Sequence, residues 1–127
     1  MPKLKKVLYV GDDADIRAMV RVGLETMGGF TVYICSSGQD ALDTVPAFEP
    51  DLILLDVHMP QMDGPATLQR LRQIPATTQV PIIFLAENTS GDADTLSALG
   101  AVAVISKPID PMALSDQLIT VWQQLSK

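Results

Sequence analysis

Hydrophobic residues along this chain fall into two alternating patterns. Five short runs are apolar at nearly every position, and each is only five or six residues long. Runs of that kind predict strands of a parallel sheet, with the central one buried on both faces. The second run alternates enough to suit either an edge or a core position. Helical spacing fills the segments between the runs, which predicts an α/β, doubly wound five-stranded parallel sheet with five helices. The predicted strands are Lys5–Val10, Phe30–Cys35, Asp51–Leu55, Pro81–Ala86 and Ala101–Ile105.

The first and last predicted helices have the clearest apolar faces. The first begins at Asp13 and ends before Gly28 and Gly29, because glycines commonly follow a last helical turn. The last spans Pro111–Leu125. Trp122 on this helix could bind a partner, but we interpret it as core or core-rim packing. The predicted inward residues are Ile16, Met19, Val20, Gly23, Leu24 and Met27 in the first helix, and Leu114, Leu118, Val121, Trp122 and Leu125 in the last.

The three middle helices carry weaker signals. The second begins at Ser36–Gly38, and Pro46 inside its pattern predicts an early end or a kink, because proline lacks an N–H and clashes with the preceding turn. The third is predicted over Pro65–Ile74. The fourth runs from Thr89 to Gly100 with few large apolar residues, so we expect it to be loosely held.

Acidic residues and one lysine follow three of the predicted strands. Asp12 and Asp13 come after the first strand, Asp56 follows the central strand directly, and Lys107 with Pro108 comes after the fifth. Because α/β sheets bind ligands outside the carboxyl ends of their strands, we expect these side chains to lie at one edge of the sheet. The edge is therefore the candidate functional site.

Clustered carboxylates repel one another and favour a hard cation. Mg²⁺ takes oxygen ligands, keeps several waters and uses one or two carboxylates together with phosphate oxygens. A carboxylate can also attack phosphorus as a nucleophile. Each residue taken alone has a plainer interpretation, since Asp12 and Asp13 can cap a helix and Lys107 can be an ordinary surface lysine. Only the joint pattern favours a site.

The joint pattern resembles the receiver domain of two-component response regulators, of the chemotaxis-regulator type. The resemblance covers residues 5 to about 125 and implies a flavodoxin-like sheet in the order 2-1-3-4-5. It also implies that residues 1–127 form a single receiver domain. The matching residues are Asp12-Asp13, Asp56, Met59-Pro60, Met62-Asp63-Gly64 and Lys107-Pro108.

The resemblance implies roles for the acidic residues. Asp56 would accept a phosphoryl group from a phosphohistidine on a histidine kinase or a histidine phosphotransfer protein. Asp13 and Asp56 would ligate Mg²⁺ directly, Asp12 would act largely through water, and the backbone carbonyl of His58 would complete the protein's share. The His58 side chain would border the path of the hydrolysing water and tune the lifetime of the phosphoryl group. The domain would catalyse only its own phosphorylation and dephosphorylation.

The resemblance also implies functions for Lys107 and for the surface formed near the end of the chain. Lys107 would neutralise charge during transfer together with Mg²⁺, and the bond between Lys107 and Pro108 would be cis. A downstream protein would bind the face formed by helix 4, strand 5 and helix 5.

Two positions depart from the pattern of this family. Ala86 stands at the end of the fourth strand, where the family usually has the hydroxyl of Thr or Ser, and Thr89 lies too far along the chain to replace it. Val104 stands three residues before Lys107, where the family usually has an aromatic switch residue. A hydrogen bond to a charged acceptor contributes about 1.5–3 kcal/mol. We therefore expect weak or differently built coupling between Asp56 and the downstream face.

The composition of the chain indicates which kinds of partner the protein can bind and in which cellular compartment it is expected. The net charge of −6 argues against direct nucleic-acid binding, which needs a basic patch. No apolar run approaches the ~20 residues of a membrane span, and we find no secretory signal. The single cysteine, Cys35, allows no internal disulfide and is interpreted as a small buried residue rather than a reactive thiol. We therefore expect a cytoplasmic protein.

Other classes of function stay open at this point. A constitutive protein-interaction module with the same fold would keep the sheet and lose the switch, as Ala86 and Val104 permit. An independent phosphatase with Asp12 as nucleophile, or a flavin carrier, is disfavoured. Counted from Asp12, the loop after the first strand lacks the Asp-x-Asp arrangement of such phosphatases, since residue 14 is alanine, and it also lacks the Ser/Thr-rich phosphate loop of such carriers.

Overall fold

A five-stranded parallel sheet forms the centre of the molecule. The computed structural model describes residues 3–87 and 93–125. The sheet has the order β2-β1-β3-β4-β5, so the predicted topology is confirmed. Every strand lies within two residues of its predicted limits, since the apolar runs mark the buried part of each strand. The strands are β1 (Lys6–Val10), β2 (Thr31–Cys35), β3 (Leu52–Asp56), β4 (Ile82–Ala86) and β5 (Ala103–Ser106).

Five α-helices and two short helical segments connect the strands. A π-helical segment, Val22–Thr26, continues the first helix, and a 3₁₀ segment, Pro75–Thr77, follows the third. The helices are α1 (Ala14–Arg21), α2 (Gly38–Phe48), α3 (Gly64–Leu71), α4 (Ala93–Ala98) and α5 (Pro111–Leu125). The predicted start of the fourth helix at Thr89 lies outside the described residues.

The sheet is covered on both faces. On one face the core contains residues of α1, the π-helical segment and α5, including Val20, Leu24 and Leu118. On the other face it contains residues of α2, α3 and α4, including Ala41, Leu68 and Leu96. All five residues of both β3 and β4 are buried. The central strand therefore ends at the site edge with both of its faces shielded from water.

Trp122 lies in the core at the amino-terminal edge of the sheet, opposite the candidate site. It is 8% exposed, as the core interpretation predicted. Its neighbours around a surface cavity include Pro50, Asp51 and Pro81, which precede β3 and β4. The predicted inward positions of two other residues are wrong, since Met27 is 46% and Leu125 is 37% exposed.

The second helix does not end at its proline. α2 includes Pro46 and runs to Phe48, where Glu49 caps it in the left-handed conformation (φ 52°) and its amide donates to the Val45 carbonyl. The predicted early end is wrong. Because Pro46 lies in the last turn, the helix loses a single backbone hydrogen bond, to Leu42, and the remaining bonds persist.

The third helix is shorter than predicted. α3 ends at Leu71, and Arg72 occupies its carboxyl-terminal cap. Pro75 then opens the 3₁₀ segment, where the Thr77 amide donates to the Ile74 carbonyl over 2.9 Å. Proline suits a first helical position because its missing N–H would have had no intrahelical partner there. Within the described ranges, no helix is long and apolar enough to cross a membrane.

Candidate functional site

Asp56 occupies the centre of the predicted edge. It is the last residue of β3 and is 1% exposed. The loop after Asp56 turns back to the end of β3, where the Gly64 amide donates a hydrogen bond to the Val57 carbonyl over 2.8 Å. A Cβ atom at Gly64 would lie 2.5 Å from the Asp56 carbonyl oxygen, so only glycine lets α3 begin this close. Asp63 caps α3 by accepting the Ala66 amide. The loop sequence thus fixes the backbone around Asp56.

Lys107 reaches Asp56 from the end of β5. Its Nζ lies 2.8 Å from Oδ1 of Asp56 and donates a hydrogen bond to Oδ2 over 3.0 Å. The Lys107 amide donates to the Ala86 carbonyl, which holds the backbone at the end of β4. The peptide bond between Lys107 and Pro108 is cis, as predicted. The lysine therefore belongs to the site and not to the open surface.

The environment of Asp56 disfavours its charged form when no cation is bound. Burial raises the pKa of Asp56 above its ordinary value, and Lys107 opposes this without cancelling it. The charge of Asp12 raises the pKa further, while the His58 backbone amide lowers it. Oδ1 of Asp56 accepts no directed hydrogen bond from the described residues, although the ammonium lies close to it. A cation beside this oxygen would favour the ionised carboxylate.

The two adjacent acids, Asp12 and Asp13, do different things. Oδ1 of Asp13 accepts the amides of Asp15 and Ile16 over 2.8 and 3.1 Å, which caps α1. Asp12 lines an open cleft of about 390 Å³ with His58, Met59, Pro60 and Asp63. Asp12 is also the acid whose charge acts on Asp56. The capping interpretation therefore holds for Asp13, and Asp12 faces the cleft.

The oxygen donors of this edge suit a cation that keeps most of its water. Within residues 3–87 and 93–125, no three side chains of His, Cys, Asp or Glu come close enough to hold a metal by themselves. The His58 side chain is exposed. Asp12 and Asp56 offer only carboxylate oxygens at this edge. Such a set fits Mg²⁺, which uses one or two carboxylates and retains waters, and does not fit a four-ligand zinc site.

Ala86 and Val104 lie close to each other in the fold. Ala86 ends β4 beside Ser106 of β5, and Phe84 of β4 pairs with Val104. Val104 is partly buried and packs against the same cluster of core residues that contains Ala86. Both residues are aliphatic, so neither offers a hydroxyl or an aromatic ring to the site. Thr89, the other hydroxyl considered, is outside the described residues.

Tyr9 is a neighbour of the site that was not predicted from the sequence. Its side chain is fully buried in β1, and its hydroxyl lies against Gly11, where an added Cβ would be 2.1 Å from the oxygen. Burial raises the pKa of Tyr9, and the charges of Asp56, Asp12 and Asp13 raise it further. The available signal was one phenol in an aliphatic run, followed two residues later by glycine.

Comparison with protein families gives a match over most of the chain. Residues 7–119 match the family model described as the response regulator receiver domain. A relative, the protein-glutamate methylesterase/protein-glutamine glutaminase 3 of Rhodospirillum rubrum, is 40% identical over 115 residues, which are 88% of this chain and 30% of that protein. The chain spans between 30% and 50% of the lengths of the first curated relatives that it matches.

Solved structures agree with this match. The chemotaxis response regulator CheY4 of Vibrio cholerae is 32% identical, with a TM-score of 0.85 over 94% of this chain and 99% of that chain. The receiver domain of the sensor histidine kinase PA1611 from Pseudomonas aeruginosa has a TM-score of 0.81 at 24% identity, over 94% and 98% of the two chains, and is described with magnesium coordinated in its active-site cleft. The second likeness concerns the fold alone.

Proposed function

Because the chain belongs to the response regulator receiver domain family, we propose that Asp56 is the phosphoacceptor through which it acts in two-component signalling. The phosphoryl donor is a phosphohistidine on a partner histidine kinase or phosphotransfer protein. An oxygen of the Asp56 carboxylate forms the new O–P bond while the P–N bond of the donor breaks. The electron pair of the broken bond leaves with the imidazole nitrogen.

The pair formed by Lys107 and Asp56 carries this proposal. A lysine that contacts both oxygens of a nearly fully buried carboxylate at a strand end is well placed to neutralise charge on an attacking group. Burial keeps water away, which strengthens the electrostatic interaction. Phosphoryl transfer depends mainly on positioning and charge neutralisation, and both are built into this pair.

We propose that Mg²⁺ is the cation of this site, held by Asp56, Asp12 and the backbone carbonyl of His58. When bound, it would neutralise negative charge on the phosphoryl oxygens. This assignment exchanges the roles that the resemblance implied for the two adjacent acids. One oxygen of Asp13 accepts two amides of α1, whereas Asp12 lines the cleft and its charge acts on Asp56. On these contacts we place Asp12 beside the cation and Asp13 in the outer shell, where it acts through water.

A downstream protein partner is also part of the proposal. A groove of about 460 Å³ between β5 and α5 is lined by aliphatic and polar side chains, including Val104, Ile105, Gln117 and Thr120. This mixture of aliphatic and polar side chains is typical of surfaces that bind another protein. We place the protein in the cytoplasm, since Cys35 is free and buried, and regard residues 1–127 as one receiver domain. Direct nucleic-acid binding is not part of the proposal.

The second candidate function is a constitutive interaction module. Ala86 and Val104 favour it, because neither of these two positions carries the hydroxyl or the aromatic side chain that would respond to a phosphoryl group. In this case the fold and the β5–α5 groove would serve binding, and Asp56 would have no chemical role.

Intact mass spectrometry separates the two candidates. The protein is incubated with a small phosphodonor such as acetyl phosphate, with Mg²⁺ or with EDTA. We expect one phosphoryl adduct in Mg²⁺, none in EDTA, and none on Asp56→Asn. Asp116→Asn is the matched control, since Asp116 is an exposed carboxylate of α5, and it should form the adduct normally. Absence of the adduct with both acetyl phosphate and a phosphohistidine donor would favour the interaction module.

A further inference from the structure

Two buried polar side-chain atoms are left without a directed hydrogen bond in the part of the chain that the structure describes. They are the hydroxyl of Tyr9 and Oδ1 of Asp56, the second of which has the Lys107 ammonium 2.8 Å away as an ion-pair partner. The first is a donor and the second is an acceptor. Buried polar atoms are paired in the large majority of native structures, either with each other or through ordered water. The complementarity of these two atoms calls for an explanation.

The strand register places these two atoms at one level of the sheet. Tyr9 pairs with Leu54, and Val10 pairs with Leu55. Continuing the register by one residue brings Gly11 beside Asp56. Residues two apart on a strand point to the same face, so the Tyr9 ring and the Asp56 carboxylate share a face. The ring extends along its own strand as far as Gly11. The hydroxyl thereby reaches the level of Asp56 on the neighbouring strand, about 4.8 Å away between backbones.

Gly11 makes this arrangement possible. Any side chain at residue 11 would occupy the space that the Tyr9 hydroxyl fills, since a Cβ would lie 2.1 Å from the oxygen and 2.6 Å from the adjoining ring carbon. The Gly11 carbonyl accepts a hydrogen bond from Nη1 of Arg17 over 3.1 Å, which ties the loop to α1. The Tyr9 phenol therefore fills the space beside Gly11 that a side chain at residue 11 would otherwise occupy.

We infer that Tyr9 is a positioning residue for the phosphoacceptor, and that its hydroxyl donates to Oδ1 of Asp56 through a single water molecule. The inference rests on the proposed role of Asp56. An ionised carboxylate offers about four lone-pair positions, so Asp56 can accept this hydrogen bond on Oδ1 in addition to its contacts with Lys107. The link would hold the carboxylate in one orientation together with Lys107, which contacts it from β5.

The charges around the phenol keep it a donor. Burial raises its pKa, as do Asp56, Asp12 and Asp13, while Arg17 acts in the opposite direction. Among these charges Asp56 acts most strongly on Tyr9, in agreement with the register. The hydroxyl therefore stays protonated at neutral pH.

Carbon-13 NMR of the protein labelled at the Cζ atoms of tyrosine tests the link without any phosphorylation. The chain has two tyrosines, and the exposed Tyr33 is an internal control. In EDTA at neutral pH, we expect Asp56→Asn to move the Tyr9 resonance and leave that of Tyr33 in place, while Asp116→Asn moves neither. A Tyr9 resonance that is unchanged in Asp56→Asn, or that moves more in Asp12→Asn, would overturn the inference.

Kinetics supply the second measurement. Tyr9→Phe keeps the ring and removes the donor, and we expect it to slow adduct formation at saturating Mg²⁺ by about 2- to 10-fold, with Tyr33→Phe unchanged. A Tyr9→Phe protein with altered stability and an unaltered rate would reduce Tyr9 to a packing residue. If the wild type forms no adduct while the NMR link is present, the proposed function fails and the Tyr9–Asp56 contact stands.

Discussion

The ammonium of Lys107 contacts both carboxylate oxygens of Asp56, at 2.8 and 3.0 Å, across the carboxyl ends of β5 and β3. The pair is separated by 51 residues in sequence, so it exists only in the folded sheet. Even so, burial outweighs the lysine, and the pKa of Asp56 stays raised. The charged form of Asp56 is therefore disfavoured in the folded protein, and this effect can be measured.

The first prediction concerns stability against pH in the absence of a cation. The folded state binds the Asp56 proton more tightly than the unfolded state, whose pKa is about 3.9. The slope of the unfolding free energy against pH is therefore negative between that value and the raised folded value, and stability is lost as the pH rises through this window. Asp56→Asn should be more stable than the wild type at pH 7 in EDTA, and the difference should shrink towards pH 3.5.

Urea denaturation at several pH values between 3.5 and 7 gives this comparison. Asp116→Asn controls for the loss of one exposed acid and should follow the wild type. A wild type that is more stable than Asp56→Asn at pH 7 in EDTA would mean that Lys107 outweighs the cost of burial.

The second prediction separates the two adjacent acids. Asp12→Asn should weaken Mg²⁺ binding by about 10-fold or more, the loss expected when a charged ligand is removed from a cation site. Asp13→Asn removes the same charge, and asparagine caps a helix about as well as aspartate, so this variant is a matched control and should bind Mg²⁺ more tightly than Asp12→Asn. Isothermal titration calorimetry measures both. The reverse ranking would restore Asp13 as the direct ligand.

Thermal shift gives an independent readout of the same site. A ligand at 100 times its dissociation constant stabilises the folded state by about 2.7 kcal/mol. Saturating Mg²⁺ should therefore raise the melting temperature of the wild type. It should have little effect on Asp56→Asn.

The third prediction concerns the missing hydroxyl. Ala86→Thr would place an Oγ at the end of β4, within the cluster that also packs against Val104. With a non-hydrolysable phosphoryl mimic, we expect small amide shifts in β5 and α5 of the wild type and larger ones in Ala86→Thr, because a hydrogen bond to a charged acceptor contributes about 1.5–3 kcal/mol. Ala86→Val has the shape of threonine without the hydroxyl, so it should behave like the wild type. Large shifts in the wild type would show that coupling needs neither residue.

The fourth prediction concerns the loop after Asp56. Gln61 has a φ of 67°, a left-handed conformation that costs a residue with a side chain roughly 1 kcal/mol or more. Gln61→Gly should therefore raise the unfolding free energy by about 0.5–1 kcal/mol, as measured by chemical denaturation. Gln61→Ala keeps the steric cost and should give no such gain. If alanine stabilises as much as glycine, the backbone conformation is not the cause.

Much of the fold was readable from the sequence because burial and apolar runs coincide. β3 and β4 are buried along their whole lengths, so their limits were predicted within a residue. The edge carrying Asp12, Asp56 and Lys107 followed from the same strand ends. The order of the strands required the resemblance, because an alternating pattern of strands and helices is compatible with several arrangements of the same sheet.

Other features depend on geometry that spacing does not encode. Adjacent acids at a strand end are alike in sequence, and only the position of the first amides of α1 shows that Asp13 caps the helix. Pro46 was expected to end α2, but its place in the last turn limits the cost. From the sequence, Tyr9 is indistinguishable from other buried strand residues. Only the strand register places its hydroxyl at the level of Asp56.

The location of Trp122 has a practical consequence for experiments. It is the single tryptophan of the chain, and it packs at the edge of the sheet away from Asp56. Its intrinsic fluorescence should report global unfolding and stay silent when a cation or a phosphoryl group occupies the far edge. Tryptophan fluorescence can then measure folding separately from cation binding and phosphorylation. A tryptophan introduced at the exposed His58 would provide the missing optical probe beside the acidic cleft.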